Sequence, residues 1–266
     1  MLKMKNLTKI LVLGLLLLSF TRAEGQRNPE RYGRVVLDNY SGRAGLSAVV
    51  FDHWVHRARF TCRVCHVDVG FAMEAGETGI RAADNAQGYY CGACHGRIEV
   101  NGKKLFAACS EEPLPEVAPE EAIRCDRCHS KGKAVPKKAF RKFAEKLPKA
   151  PLDSGINWEK AEDEKLITPS DFLEGVSIER KPMKPQEDFG IKSRGSWMPD
   201  IVFSHKKHVV WNGCELCHPD IFTGVKKGAS RYTMFEIYED KYCGVCHGKV
   251  AFPLQDCQKC HISNVR

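Results

Sequence analysis

The sequence predicts a mostly α and irregular fold with little β structure, arranged as two tandem copies of one small unit. Three observations predict it. Twelve of the 13 cysteines fall into a five-residue pattern, Cys-x-x-Cys-His, that recurs six times. A second phrase, Phe-x-His-x-x-His, occurs twice, each time ahead of three of those patterns, which marks an internal repeat. Only 43% of the 266 residues are apolar, so aliphatic side chains must share the interior with another material.

In chain order, residues 1 to 23 read as a cleavable secretory signal. Lys3, Lys5 and Lys9 form its basic start, Ile10 to Phe20 its apolar stretch, and Thr21-Arg22-Ala23 the cleavage site. About 11 strongly apolar residues are too few to span a bilayer. Removal after Ala23 and a periplasmic or secreted chain are expected, in a compartment where thiols can pair. The lost segment contains four cations and no acid, so the formal charge of +8 falls to about +4.

The first unit is expected at 24–130. Its strand signals are Val35-Val36-Leu37 and Ala48 to Phe51, short runs rich in valine. The phrase Phe51-Asp-His53-Trp-Val-His56 follows, then Cys62-Arg-Val-Cys65-His66, Cys91-Gly-Ala-Cys94-His95 and Cys125-Asp-Arg-Cys128-His129. Between the last two sites lies an insertion with an acidic, proline-rich core at Glu111 to Glu121, read as a surface loop. It includes Cys109, the one cysteine outside the pattern, which is either a buried free thiol or the source of an intermolecular bond.

Residues 131–199 lack Cys and His and are rich in Lys, Pro and Glu, as expected of a linker with local structure. Within Pro136 to Lys149, Phe140, Phe143 and Leu147 recur at helical spacing among Lys137, Lys138, Arg141, Lys142 and Lys146. This short basic helix either packs on the first unit or docks an acidic redox partner. A second helix is expected to begin near Trp158, bounded by Pro169.

The second unit, 200–266, repeats the first: strand Ile201-Val202-Phe203, then Phe203-Ser-His205-Lys-Lys-His208. Its sites are Cys214-Glu-Leu-Cys217-His218, Cys243-Gly-Val-Cys246-His247 and Cys257-Gln-Lys-Cys260-His261. The middle sites of the two units match closely, as Tyr90-Cys-Gly-Ala-Cys-His-Gly96 and Tyr242-Cys-Gly-Val-Cys-His-Gly248.

The spacing of the pattern has a chemical reason. Residues three apart share one side of a helical turn, so both thiols reach the two vinyl groups of one porphyrin and form thioethers. The histidine that follows then reaches the iron. Structural zinc uses Cys-x-x-Cys pairs but demands no histidine after each, and a disulfide framework needs none. Six covalently bound haem c groups are therefore expected, with His66, His95, His129, His218, His247 and His261 as proximal ligands. The remaining four of ten histidines all lie in the two repeated phrases, which makes His53, His56, His205 and His208 candidate second axial ligands.

On these motifs the chain resembles the class III multihaem cytochromes c, specifically a duplicated cytochrome c7-type (cytochrome c3-like) three-haem module, over roughly residues 47–129 and 200–262. The resemblance implies the fold class: two tandem c7/c3-like modules organised around covalent haem. It pairs His53 with His66, His56 with His95, His205 with His218 and His208 with His247. Twelve axial positions meet only ten histidines, so the third haem of each unit lacks a His partner. Similar modules use methionine there, which raises the reduction potential relative to a second histidine. Met234 lies where the family places that ligand, and Met73 is the candidate in the first unit. Met183 and Met198 are substitutes.

Closely spaced haems form a conducting chain, and two functions follow. One is a carrier of electrons in anaerobic-type respiration, between quinol-oxidising complexes of the inner membrane, other cytochromes and terminal acceptors. The other is a reductase of a small oxyanion at an open third haem. A reductase needs proton donors beside that iron. No histidine is spare and no Arg/Tyr/His constellation surrounds the third sites, so the carrier is preferred over an enzyme. Twelve propionates bring the holoprotein to about −2 oxidised and about −8 reduced, which removes the support for nucleic-acid binding that the polypeptide charge gave.

Overall fold

The computed structural model describes residues 32–96, 99–100, 103–109, 125–130, 138–181, 184, 186–195, 197–224 and 226–263. The expected signal segment, the acidic core of the insertion and Met183 lie outside them. The chain is mostly helical and irregular, with 29% helix and 13% strand. No helix among the described residues is long and apolar enough to cross a membrane.

In the first unit, β1 (Arg34–Leu37) and β2 (Val49–Asp52) form an antiparallel hairpin with Val35 opposite Phe51. Strand β2 runs directly into α1 (His53–Arg57), because Asp52 caps the helix by accepting from the Trp54 amide at 3.1 Å. A single π-helical turn, Val64–Val69, bears the end of the first site. Helix α2 (Ala82–Ala86) precedes the 3₁₀ turn Tyr90–Ala93 of the second site, and β3 (Glu99–Val100) pairs with β4 (Lys103–Lys104). The third site then returns to the hairpin: the Val50 amide donates to the Cys128 carbonyl at 2.8 Å, and Val49 bridges His129.

The second unit repeats this plan. Strand β5 (Phe189–Ile191) pairs with β6 (Asp200–Phe203), and β6 leads into α5 (His205–Asn212), capped by Ser204 on the Lys207 amide at 3.3 Å. Helix α6 (Met234–Tyr238) precedes the 3₁₀ turn Tyr242–Val245, and the 3₁₀ turn Cys257–Lys259 leads to β7 (His261–Ser263). Strand β7 closes the unit on β6, with Ile201 opposite His261. The expected strands thus form, and β2 and β6 act as the rails onto which the third sites dock.

The segment between the units is packed structure. Helix α3 (Lys138–Ala144) and α4 (Trp158–Asp163) lie within it, α4 ending several residues before Pro169. Leu147, Ile156, Trp158, Ala161 and Ile167 are buried with Tyr32 and Trp54, and Phe140, Phe143 and Trp211 pack against that cluster. The apolar stripe of α3 therefore packs inward, the first of its two expected roles. Further on, the Phe60–Ser170 bridge, the Thr61 hydroxyl on Asp171 at 2.8 Å and an ion pair between Arg63 and Asp171 strap this segment across the first site. Twelve hydrophobic side chains are buried among the described residues, too few to fill the interior alone.

Candidate functional site

Each Cys-x-x-Cys-His segment closes one helical turn. The second cysteine's amide donates to the first cysteine's carbonyl at 3.3 Å in Cys91–Cys94, 3.1 Å in Cys125–Cys128, 3.2 Å in Cys214–Cys217 and 3.2 Å in Cys257–Cys260. The histidine amide reaches the same carbonyl at 2.8 Å for His95 and His129, 3.0 Å for His218 and 2.9 Å for His247. The turn gathers two sulfurs and one imidazole on one side. At the middle sites the residue after the first cysteine is glycine for a steric reason: a Cβ on Gly92 would collide with the Asn85 carbonyl, and one on Gly244 with that of Ile237. The last carbonyls of α2 and α6 thus press on equivalent turns.

All ten histidines bind a backbone carbonyl through Nδ1. His56 and His208 reach the carbonyl of their own helix cap, Asp52 at 3.0 Å and Ser204 at 2.7 Å; His53 reaches Gly33 at 2.8 Å and His205 reaches Glu187 at 3.0 Å. His66 binds Phe71 at 3.0 Å, His218 Phe222 at 2.6 Å, His95 Phe106 at 3.2 Å and His247 Phe252 at 3.1 Å. At the third sites, His129 binds Ser47 at 2.6 Å and His261 binds Pro199 at 2.7 Å, each two residues ahead of the strand residue that the histidine pairs with, Val49 and Ile201. A carbonyl can only accept, so Nδ1 is the protonated nitrogen and Nε2 keeps its lone pair for a metal.

Three of the expected pairs face one another. Ring centroids are 6.4 Å apart for His53–His66, 6.3 Å for His56–His95 and 6.2 Å for His208–His247. Two imidazoles that each place Nε2 about 2 Å from one metal ion have centroids about 6 Å apart. His205 and His218 form no such ring contact among the described residues; His205 lies against Phe189 at 5.2 Å and Phe203 at 5.0 Å. The phenylalanine of the repeated phrase has a role that sequence reasoning left unassigned: Phe51 stacks on His56 and Phe203 on His208, both at 4.5 Å.

The two candidate methionines stand at different places in the repeat. Asn85 with Gly92 corresponds to Ile237 with Gly244, so Met234 at the start of α6 corresponds to Ala82 at the start of α2. Likewise the carbonyls of Phe71 and Phe222 both serve their unit's first-site histidine, and two residues further on stand Met73 and Gly224. Met234 is 42% exposed at the mouth of the cavity, and Met73 is half-buried. Cys109 is surface-exposed, against the first of its two expected roles, a buried free thiol.

The donor chemistry separates haem from the other uses of Cys-x-x-Cys. All thirteen cysteines are free thiols, so no disulfide framework exists. Burial pushes the thiols of Cys65, Cys91 and Cys246 up to about 12 and that of Cys243 to about 11, so they stand as neutral, protonated groups. Among the described residues, no three or more His, Cys, Asp or Glu side chains converge to hold a bare ion. Burial also lowers His53 and His247 to about 4, which keeps these rings neutral and able to ligate. Eleven of the cysteines and eight of the histidines, all but Cys125, Cys214, His205 and His218, line one continuous, mainly apolar cavity of 2110 Å³. That is about twice the largest ordinary ligand pocket. Thiols, paired imidazoles and apolar walls all fit covalently held porphyrins.

Comparison with known proteins points the same way. The family model described as cytochrome c7 and related cytochrome c matches residues 49–130 and 201–262. Among solved structures, a c7-type three-haem cytochrome domain is 41% identical over 30% of this chain and 99% of its own, with a TM-score of 0.27. The C-terminal hexahaem fragment of GSU1996 is 24% identical, covering 86% of this chain and 96% of its own, with a TM-score of 0.26. The dodecahaem cytochrome c GSU1996 is 23% identical, covering 81% of this chain and 70% of its own, with a TM-score of 0.26. No curated protein matches the chain. With two family regions that together span more than half of the sequence, the chain belongs to the cytochrome c7 and related cytochrome c family, whose multihaem character points to electron transfer.

Proposed function

We propose that the chain is an exported hexahaem carrier, built as three-haem units at 24–130 and 200–266 joined by a packed segment at 131–199, that passes electrons between redox partners. Bound haem supplies the one-electron chemistry of its iron. The protein supplies the rest. Paired cysteines of the six sites hold each porphyrin by thioethers, and His66, His95, His129, His218, His247 and His261 stand on the proximal side. His53, His56, His205 and His208 would serve as second ligands to the first two haems of each unit, and Met234 to the third haem of the second.

The observation that supports this reading best is the facing of three His–His pairs at 6.2 to 6.4 Å with every Nδ1 already engaged. Two strong ligands saturate each of these irons and leave no place for substrate there, as suits a carrier. The partners would be other redox proteins, quinol-oxidising complexes and other cytochromes among them. Intact mass and reductive titration of the mature protein test the reading together. Six haem increments, six electrons per chain and no change in the spectrum of the reduced protein on adding nitrite or cyanide are expected. Fewer haems, or rapid reoxidation by nitrite, would overturn it.

A further inference from the structure

The attachment sites of one unit do not face their surroundings alike. At the third sites the two residues between the cysteines, Asp126 with Arg127 and Gln258 with Lys259, are exposed. At the first sites the second of these residues, Val64 or Leu216, is buried. The third sites also dock inside their own units, through His129 on Val49 and His261 on Ile201. The first sites instead meet across the units.

Three contacts make that meeting. Gly213, the residue before Cys214, lies against the Arg63 side chain: a Cβ on it would stand 2.6 Å from the Arg63 Cδ and 3.2 Å from Nη1. Arg63 and Glu215 occupy the same place in the repeat, directly after the first cysteine of their sites, and have opposite charges. Arg180 then spans the two sites, donating from Nη2 to Asp68 Oδ1 and from Nε to Glu215 Oε1, both at 2.7 Å. The Asp68 side chain, two residues after His66, is fully buried, and Glu215 also accepts from the Cys214 amide at 3.1 Å. Arg63 is held in turn by its ion pair with Asp171. The segment between the units thus supplies a partner to each side: Arg180 to the carboxylates and Asp171 to the guanidinium. Charge-assisted hydrogen bonds of this kind fix geometry as well as adding energy.

We propose that electrons cross between the two units at the first sites, between the haem of Cys62 and Cys65 and the haem of Cys214 and Cys217, and that Arg180 is the positioning residue that holds these sites together. The proposal rests on the haem reading above. A porphyrin held by two thioethers stays with its cysteines, so attachment segments in contact keep their porphyrins close whatever ligates the irons. Each crossing is a one-electron exchange: ferrous iron at one site becomes ferric as ferric iron at the other becomes ferrous, and no bond or proton moves. Chain order would have led from His129 into the second unit; the contacts lead from the first site instead. The exposed third sites are left as the two ends of the route.

The test uses the mature holoprotein with His208→Met, which gives one haem of the second unit a His/Met charge-transfer band and a higher potential and so marks an electron's arrival. A ruthenium-bipyridyl photosensitiser on Cys109, which is exposed and outside the six sites, injects an electron into the first unit after a flash. Transient absorption then reads two steps, reduction of the first unit and bleaching of the marker band. Arg180→Glu sets a third carboxylate between Asp68 and Glu215. It should slow the second step several-fold and leave the first unchanged, whereas Arg180→Lys should stay close to the parent. Intact mass confirms six haems in each variant, and Arg180→Gln carries the same expectation if Arg180→Glu does not assemble. Equal arrival rates with and without the arginine, or slowing of both steps together, would overturn the proposal. A crystal structure of the holoprotein gives a reading without a variant. The haems of Cys62/Cys65 and Cys214/Cys217 should be the closest pair across the units, and a closer pair elsewhere would also overturn it. Absence of haem would instead defeat the reading on which the proposal rests.

Discussion

The imidazole is the smallest unit in which this protein's chemistry is set, and a backbone carbonyl sets it. A carbonyl on Nδ1 makes the ring a better donor and fixes its angle about the iron–nitrogen axis. His53 and His66 lie nearly coplanar, with 7° between their rings, whereas His56 and His95 are turned by 72°. Under the proposed ligation, two haems with the same ligands would be made inequivalent by loop geometry alone. Replacing His56 with methionine should raise the midpoint potential of the second haem alone and leave the first unchanged. Redox titration followed at the α-band would show one of six components shifted; a uniform shift would contradict the assignment.

At the scale of elements, the contact between a short helix and the turn that follows it is the repeated device. Gly92→Ala would drive a methyl group into the Asn85 carbonyl and should destabilise the holoprotein by about 1–3 kcal/mol. Gly42→Ala, whose new Cβ meets nothing within 4 Å, should stay within about 0.5 kcal/mol. Thermal denaturation of both variants separates these outcomes. This scale also shows how far the sequence could be read. The six attachment sites, the two phrases and strands β1, β2 and β6 were legible, because covalent chemistry dictates residue type and spacing and valine-rich runs mark short strands. Strands β5 and β7 were not, since Phe189–Ile191 and His261–Ser263 form only by pairing with β6 and have no alternation of their own. Helix α4 stopped early: Trp158 and Ala161 are held by burial, Glu162 to Lys165 offer no apolar side chain, and Lys165 turns the chain with a φ of 56°. The inequivalence of Met73 and Met234 was visible as unequal spacing, but the counterpart of Met234 emerged only once α2 and α6 could be matched.

Across the whole molecule, the joint between the units is built around one cation. Arg57, at the end of α1, lies among Trp54, Trp158 and Trp211 at 5.6, 5.5 and 4.8 Å and donates to the Val250 carbonyl at 2.6 Å. Packed among these rings it is half-buried, lies near Cys62 of one unit and Cys246 of the other, and desolvation lowers its affinity for a proton. A second cation, Arg180, clamps Asp68 of the first unit and Glu215 of the second, both at 2.7 Å. A positive charge opposes oxidation of any haem beside it. At a separation of about 10 Å and an effective dielectric of about 20, the effect is about 1–2 kcal/mol per haem. Arg57→Met should therefore lower the midpoint potentials of the haems at Cys62 and Cys246 and leave those at the third sites in place, as spectroelectrochemistry would show. Stability should change little, since an apolar side chain of similar length suits the tryptophan cage. The ten carbonyls that hold the histidines extend this coupling to the entire chain. With haem bound as proposed, ferric iron would draw density from the imidazole and sharpen its pull on the peptide oxygen, and ferrous iron would relax it. The passage of an electron is thus also a vibration-frequency change in a particular peptide group, and the amide I region of the infrared spectrum becomes a record of which loop the charge has reached.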